Sequence, residues 1–173
     1  MKMMSVLKKI FLLSLFVSFT QLVAADDYSV ELYAMSGNGK LISSDEMIKR
    51  SNAKYLIVDF FSLFCEPCKK SLPKWNEFIK ENRTKGFEFI LVALPADGEK
   101  KKTEKDLKNY FKQNKFDFET VFDKYSVVGK KFGVVEKSGD VTLPMIFVVD
   151  KSGKLLFKTD SFDDAMAKIK NLN

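Results

Sequence analysis

Histidine is absent from this chain of 173 residues, and cysteine occurs only twice, at Cys65 and Cys68. Without histidine there is no Cys–His hydrolase and no zinc site of the mixed kind, and two thiolates alone cannot complete a tetrahedral zinc shell. A structural staple is a poor reading too. The two thiols stand three apart, and closing so small a loop adds little stability. No cysteine follows the N-terminal apolar run, which excludes lipid attachment there. That run, Ile10 to Phe19, is short against the ~20 residues a spanning helix needs. Proline appears only four times, and there is no repeat, low-complexity tract or Pro/Gly-rich linker to divide the chain. Nor is the charge one-signed: 29 basic residues face 23 acidic ones, a formal net charge of +6. The densest lysine cluster, GEKKKTEKDLKNYFKQNK, is interspersed with acids and reads as a solvated loop and helix face, which argues against a nucleic-acid partner.

What is present begins with a secretory layout. Lys2, Lys8 and Lys9 form a positive n-region, the apolar run follows, and Val23 and Ala25 supply small residues before Asp26. The expected organisation is a signal peptide over residues 1–25, an uncleaved anchor being the alternative, and one domain over residues 26–173. The chain is thereby expected in the periplasm or another extracytoplasmic space, membrane-anchored if the signal is retained.

Strand-like and helix-like segments alternate, as in an α/β domain. Tyr28–Met35 reads as extended and SGNGK as a turn, and Ser44 is placed to cap a short helix to Arg50. Tyr55–Phe61 and Phe87–Leu94 have the composition of buried strands, with a helix from Cys65 to Asn82 between them. Thr103 is placed to start a helix to Gln113. Phe116–Phe122 reads as a short strand or extended piece, and Lys124–Phe132 as a short helix. Met145–Val149 and Leu155–Lys158 form a hairpin about DKSGK, and Ser161 caps a last helix.

Both thiols lie where the first buried strand meets its helix, in LIVDFFSLFCEPCKKSLPKW. Amides at a helix N-terminus favour the thiolate of Cys65, the attacking species in thiol exchange. Cys68, one turn on, is placed to resolve a mixed disulfide from within the molecule. Pro67 suits the first helical turn. Glu66 sets a negative charge beside Cys65 and is expected to make the pair less oxidising. Asp59 shares a strand face with Ile57 and Phe61, where desolvation raises a carboxyl pKa and suits it to take a proton from Cys68. The alternative is an acid satisfied by Lys54 or Lys69. Trp75 and the phenylalanines read as core, except Phe64, a candidate for an apolar rim about Cys65. Pro144 opens an apolar strand, and a cis Leu143–Pro144 bond is the sharper expectation.

VDFFSLFCEPC, Pro73 and TLPMIFVVDKSGKLL together resemble the thioredoxin fold, and within it the TlpA/ResA-like, DsbE/CcmG-related branch of exported thiol-disulfide oxidoreductases. The resemblance covers essentially all of residues 26–173. It implies a central mixed β-sheet flanked by helices, with a helix-containing insertion from Ala96 to about Phe122, before the cis-proline strand. It implies that Asp59 is the buried acid, Pro73 the helix-kink proline and Pro144 the cis-proline. Leu143 would then offer its backbone to an extended substrate peptide, with Phe64, Glu66 and Pro67 beside it. The chain departs from the family's usual residues at Phe64, where tryptophan is usual, at Leu143, often threonine or valine, and at Ser71, where close members carry an acid.

The function expected is reduction of disulfides in exported proteins, apocytochrome c among them, with a membrane thiol donor of the CcdA/DsbD type restoring the dithiol. No cofactor beyond the Cys65–Cys68 dithiol/disulfide and no resident metal is implied. Two further readings share the motif: a disulfide oxidant or isomerase, and a copper-binding metallochaperone, since two thiolates suit Cu(I). A thiol peroxidase fits less well, because Ser62 stands where a threonine would be wanted three before Cys65, and no arginine is near.

Overall fold

Tyr55–Phe61 (β3), YLIVDFF, is apolar toward both faces, the pattern of a strand covered on both sides. The computed structural model describes residues 28–33, 41–82, 84–95, 100–116 and 118–172, and there β3 is the middle strand of five. The expected signal over residues 1–25, and residues 26 and 27 of the expected domain, lie outside the described residues. Phe87–Ala93 (β4) pairs parallel with β3, and Glu119–Phe122 (β5) parallel with β4. On the other side Met145–Asp150 (β6) runs antiparallel to β3, and Leu155–Thr159 (β7) antiparallel to β6. The order β5-β4-β3-β6-β7 is a mixed sheet, as expected.

Alternation along β3 divides the core in two. Leu56, Val58 and Phe60 pack with Met47 and Ile48 of Ser44–Ser51 (α1) and with Val128. Ile57 and Phe61 pack on the opposite face with Leu72, Trp75 and Phe78 of Glu66–Asn82 (α2) and Leu107 of Lys100–Asn114 (α3). Ala165 and Ile169 of Phe162–Ile169 (α5) join that second cluster. Ser161 caps α5 as expected, its hydroxyl accepting from the N–H of Asp164. Among the described residues no helix is long and apolar enough to cross a membrane.

Several elements differ from expectation. Leu41–Ser43 (β2) is a strand, paired antiparallel with Glu31–Tyr33 (β1) in a separate two-stranded sheet. Ser44 does not cap α1; its buried hydroxyl accepts the N–H of Val30 at 2.9 Å and ties the segment before β1 to the helix. Thr103 lies inside α3, buried, because the helix already runs at Lys100. The short helix is only Val127–Lys131 (α4). The strand expected within Phe116–Phe122 is present but confined to β5, Glu119–Phe122, at an edge of the main sheet.

The parallel strands β3, β4 and β5 all end at the pole where Cys65 begins the descent into α2. The turn joining β6 to β7 lies at the other pole, tightened by Asp150 Oδ1, which accepts from the N–H groups of Ser152 and Lys154. There the N–H of Tyr28 donates to the carbonyl of Gly153.

Candidate active site

The chain leaves β3 at Phe61, turns through Ser62–Phe64, and enters α2 at Glu66, so Cys65 sits immediately before the first helical turn. The turn is held by the Cys65 N–H donating to the Ser62 carbonyl at 3.0 Å. Cys65 and Cys68 are joined as a disulfide with their Cα atoms 5.2 Å apart. The N–H of Cys68 points at Cys65 Sγ from 3.2 Å. In the reduced protein that amide, with the helix end behind it, favours negative charge on Cys65.

The two sulfurs are not equivalent. Cys65 lines an open cleft of about 630 Å³ shared with Ser62, Phe64, Glu66, Pro67, Leu94, Pro95, Val141 and Leu143. The residue as a whole is only 9% exposed, so the cleft is its access to solvent and reactants. Cys68 is 1% exposed, with its sulfur 3.9 Å from the carbonyl oxygen of Phe60. An incoming disulfide therefore meets Cys65 first.

Of the residues expected at the site, Cys65, Phe64, Glu66, Pro67 and Leu143 share this cleft. Phe64 is 74% exposed, in keeping with a rim. The Leu143–Pro144 bond is cis, and Pro144 stands half-buried behind Leu143 at the start of β6. Glu66 is paired with Lys69, which offsets part of its charge beside Cys65. Cys68 and Asp59 lie in the packed interior behind the cleft.

Asp59 is 1% exposed, on the face carrying Ile57 and Phe61. Neither Lys54 nor Lys69 reaches it, because Lys69 turns outward to Glu66 and neither carboxylate oxygen has a hydrogen-bond partner. Burial pushes its pKa up to about 8, and the nearby indole N–H of Trp75 only partly opposes the rise. That N–H also completes no hydrogen bond. An unsatisfied buried polar group costs about 1–3 kcal/mol, a penalty that falls on a neutral carboxyl far less than on a carboxylate. Burial thus favours the protonated form of Asp59 in the oxidised protein.

Three contributors escaped sequence reading. Tyr110 of α3 stacks on Phe61, their centroids 6.1 Å apart, and its hydroxyl pKa is raised by burial, with Lys69 lowering it and Glu66 raising it. Asp123, fully buried, accepts the N–H groups of Val127 and Gly129 at 2.7 Å each and fixes α4 behind Leu94. Burial raises its pKa while those amides pull it down. Val141 reaches the cleft because Val135 and Val141 form a bridge and the Thr142 N–H donates to the Val134 carbonyl. A capping acid four residues ahead of a five-residue helix, and a lone bridge, leave no periodic signal. Among the described residues no group of three or more His, Cys, Asp or Glu side chains is placed to hold a metal.

The profile of the AhpC/TSA family matches residues 24–158. The thiol-disulfide oxidoreductase ResA of Bacillus thuringiensis is 32% identical over 109 residues, covering 63% of this chain and 56% of that protein. The chain thus spans little more than half the length of the curated ResA relatives it matches. StoA from Bacillus subtilis superposes with a TM-score of 0.62 at 19% identity, over 82% of this chain and 96% of StoA. The exposed lipoprotein thioredoxin of Streptococcus pneumoniae does so with a TM-score of 0.63 at 24% identity, over 83% of this chain and 98% of that one. At such identities the likeness is one of fold, and the fold is that of thioredoxin.

Proposed function

Starting from the fact that this chain belongs to the AhpC/TSA family, we propose that it is a thiol-disulfide oxidoreductase that reduces disulfides of exported proteins through Cys65 and Cys68. The observation that carries the reading is the asymmetry of the pair. One sulfur lines an open cleft under a helix-end amide, and the other is sealed behind it.

The thiolate of Cys65 attacks one sulfur of a substrate disulfide, forming a mixed disulfide and releasing the other substrate sulfur as a thiolate. Cys68 then gives up its proton, with the ionised form of Asp59 as acceptor, and its thiolate attacks Cys65 Sγ. The Cys65–Cys68 bond forms, the mixed disulfide breaks, and the substrate leaves with both sulfurs reduced. Two electrons have passed from the protein's dithiol to the substrate. An external dithiol must return them, and a membrane thiol donor of the CcdA/DsbD type is the class that fits an extracytoplasmic protein. Leu143 lines the cleft, and an extended substrate peptide would align along it. Apocytochrome c is the narrower substrate proposed. Glu66, only part-neutralised by Lys69, favours the reducing direction.

Replacing Cys68 with alanine tests the reading. Mixed disulfides of exported proteins should accumulate on Cys65 in the Cys68→Ala protein and not in the Cys65→Ala one. The wild-type potential should lie nearer ~−270 mV than the ~−120 mV of a strong oxidant. Absence of any trapped adduct would refute thiol exchange, and a strongly oxidising potential would reverse the direction.

A further inference from the structure

The oxidised protein leaves three buried side-chain polar atoms without hydrogen bonds among the described residues: both carboxyl oxygens of Asp59 and the indole nitrogen of Trp75. They belong to the same side of the sheet. Asp59 projects between Ile57 and Phe61 into the cluster that contains Trp75, and both residues are all but inaccessible to solvent. Trp75 is held from several sides, by Phe78, Phe89 and Phe162 at centroid distances of 5.7, 5.2 and 4.8 Å. An indole so confined cannot swing away to find another acceptor.

Among the described residues no side chain completes a hydrogen bond to the carboxyl. Directly across from Asp59 on the flanking strands stand Leu91 and Ile146. On the helices over this face Lys69 pairs with Glu66, Lys74 with Asp163 and Lys168 with Asp164, while Glu77, Lys80, Glu81, Lys105, Asp106 and Lys112 are exposed. Lys70 of α2 is exposed, and on α3 Lys108 pairs with Glu104 while Tyr110 stacks on Phe61. On β4, Glu88 stands on the opposite parity from Leu91. When the disulfide is reduced, the Cys65 and Cys68 thiols join Tyr55 and Tyr110 as titratable groups of this cluster, and of the two thiols Cys68 is the more deeply buried.

We propose that Trp75 is a positioning residue for the buried acid, its indole N–H donating a hydrogen bond to the carboxylate of Asp59 when that group ionises. A neutral carboxyl accepts such a bond more weakly than a carboxylate does, and the two groups stand adjacent but unbonded here. An N–H fixed in an apolar pocket favours the anion without introducing a charge that would trap it as an anion. It therefore sets the pH at which Asp59 can take a proton from Cys68 and later release it. The titration stands apart from the proposed function, and only its consequence for turnover rests on that reading.

Trp75 is the chain's one tryptophan, so selectively excited emission reports on this site. In the oxidised full-length protein, emission should change in one step with a midpoint near the expected value of about 8. The Asp59→Asn protein should show no such step. A second measurement follows the Asp59 carboxyl carbon by NMR in the Trp75→Phe protein, where the midpoint should rise by about one pH unit or more, the loss of a hydrogen bond to a charge. In turnover, the alkaline shift of the resolving step should match. A flat wild-type emission curve overturns the proposal, as does a step that survives Asp59→Asn. A Trp75→Phe midpoint that stays or falls also overturns it. If Trp75→Phe does not fold, the pair of emission curves decides. Failure of Cys68→Ala trapping would remove the proposed function and leave the titration untouched.

Discussion

Asp59→Asn should make the protein's stability less dependent on pH. The folded carboxyl is held at about 8 against an ordinary value of 3.8. Below pH ~4 both folded and unfolded chains carry the proton, and the raised value has no penalty. As pH climbs, the unfolded chain releases its proton while the folded chain keeps it, so stability falls steadily until the folded carboxyl ionises too. One pH unit of difference is 1.36 kcal/mol, so the full window, from about pH 4 to about pH 8, removes on the order of 5 kcal/mol. Asparagine has nearly the same shape and does not titrate. Its own buried amide shifts the curve by a constant and leaves the slope alone. Urea denaturation at intervals across the window, with the disulfide intact, should therefore give two curves that diverge from about pH 4 and run parallel above about pH 8. Curves parallel throughout would mean that Asp59 is ionised in the folded protein and that desolvation does not govern it.

Three other outcomes follow from the site's surroundings. Glu66→Gln should quicken alkylation of reduced Cys65 at mildly acidic pH and Lys69→Met should slow it, each by up to about fivefold because the pair is partly exposed. A larger effect would place these charges closer to the sulfur than the salt bridge implies. Asp123→Ala removes both 2.7 Å bonds to the start of α4 and should cost about 2–4 kcal/mol in denaturation experiments, with slower reduction of model disulfides as the Leu94 wall loosens. Gly129→Ala would set a methyl 2.7 Å from Val135 Cγ2 and 3.1 Å from Leu94 Cδ2, so despite alanine's better helix propensity a net loss of about 1–2 kcal/mol is expected.

The sequence was most legible where one signal served one purpose. YLIVDFF is apolar on both faces and became the central strand, and the Cys65–Pro67–Cys68 spacing fits a helix start. At Pro144 an ordinary strand-opening proline and a cis bond were both open from the residues, and the family resemblance pointed to the cis bond that is present. Legibility failed where partners are distant or the element is too short for periodicity. The three residues of β2 carry no pattern of their own. Ser44 had the look of a cap, but a backbone N–H from 14 residues away claimed its hydroxyl. Lys69 was a plausible partner for Asp59 by proximity in the chain, yet its position on α2 turns it to Glu66. Trp75 read as core and is core; that its one polar atom stands beside Asp59 depends on how α2 lies across β3, which no local pattern encodes.

The bond from Tyr28 to Gly153 has an orientational consequence. β6 carries the chain from the cis-proline to the hairpin that holds Tyr28, a span of roughly 20 Å at strand rise. Whatever polypeptide precedes Tyr28 therefore joins the body at the pole away from the reactive sulfur.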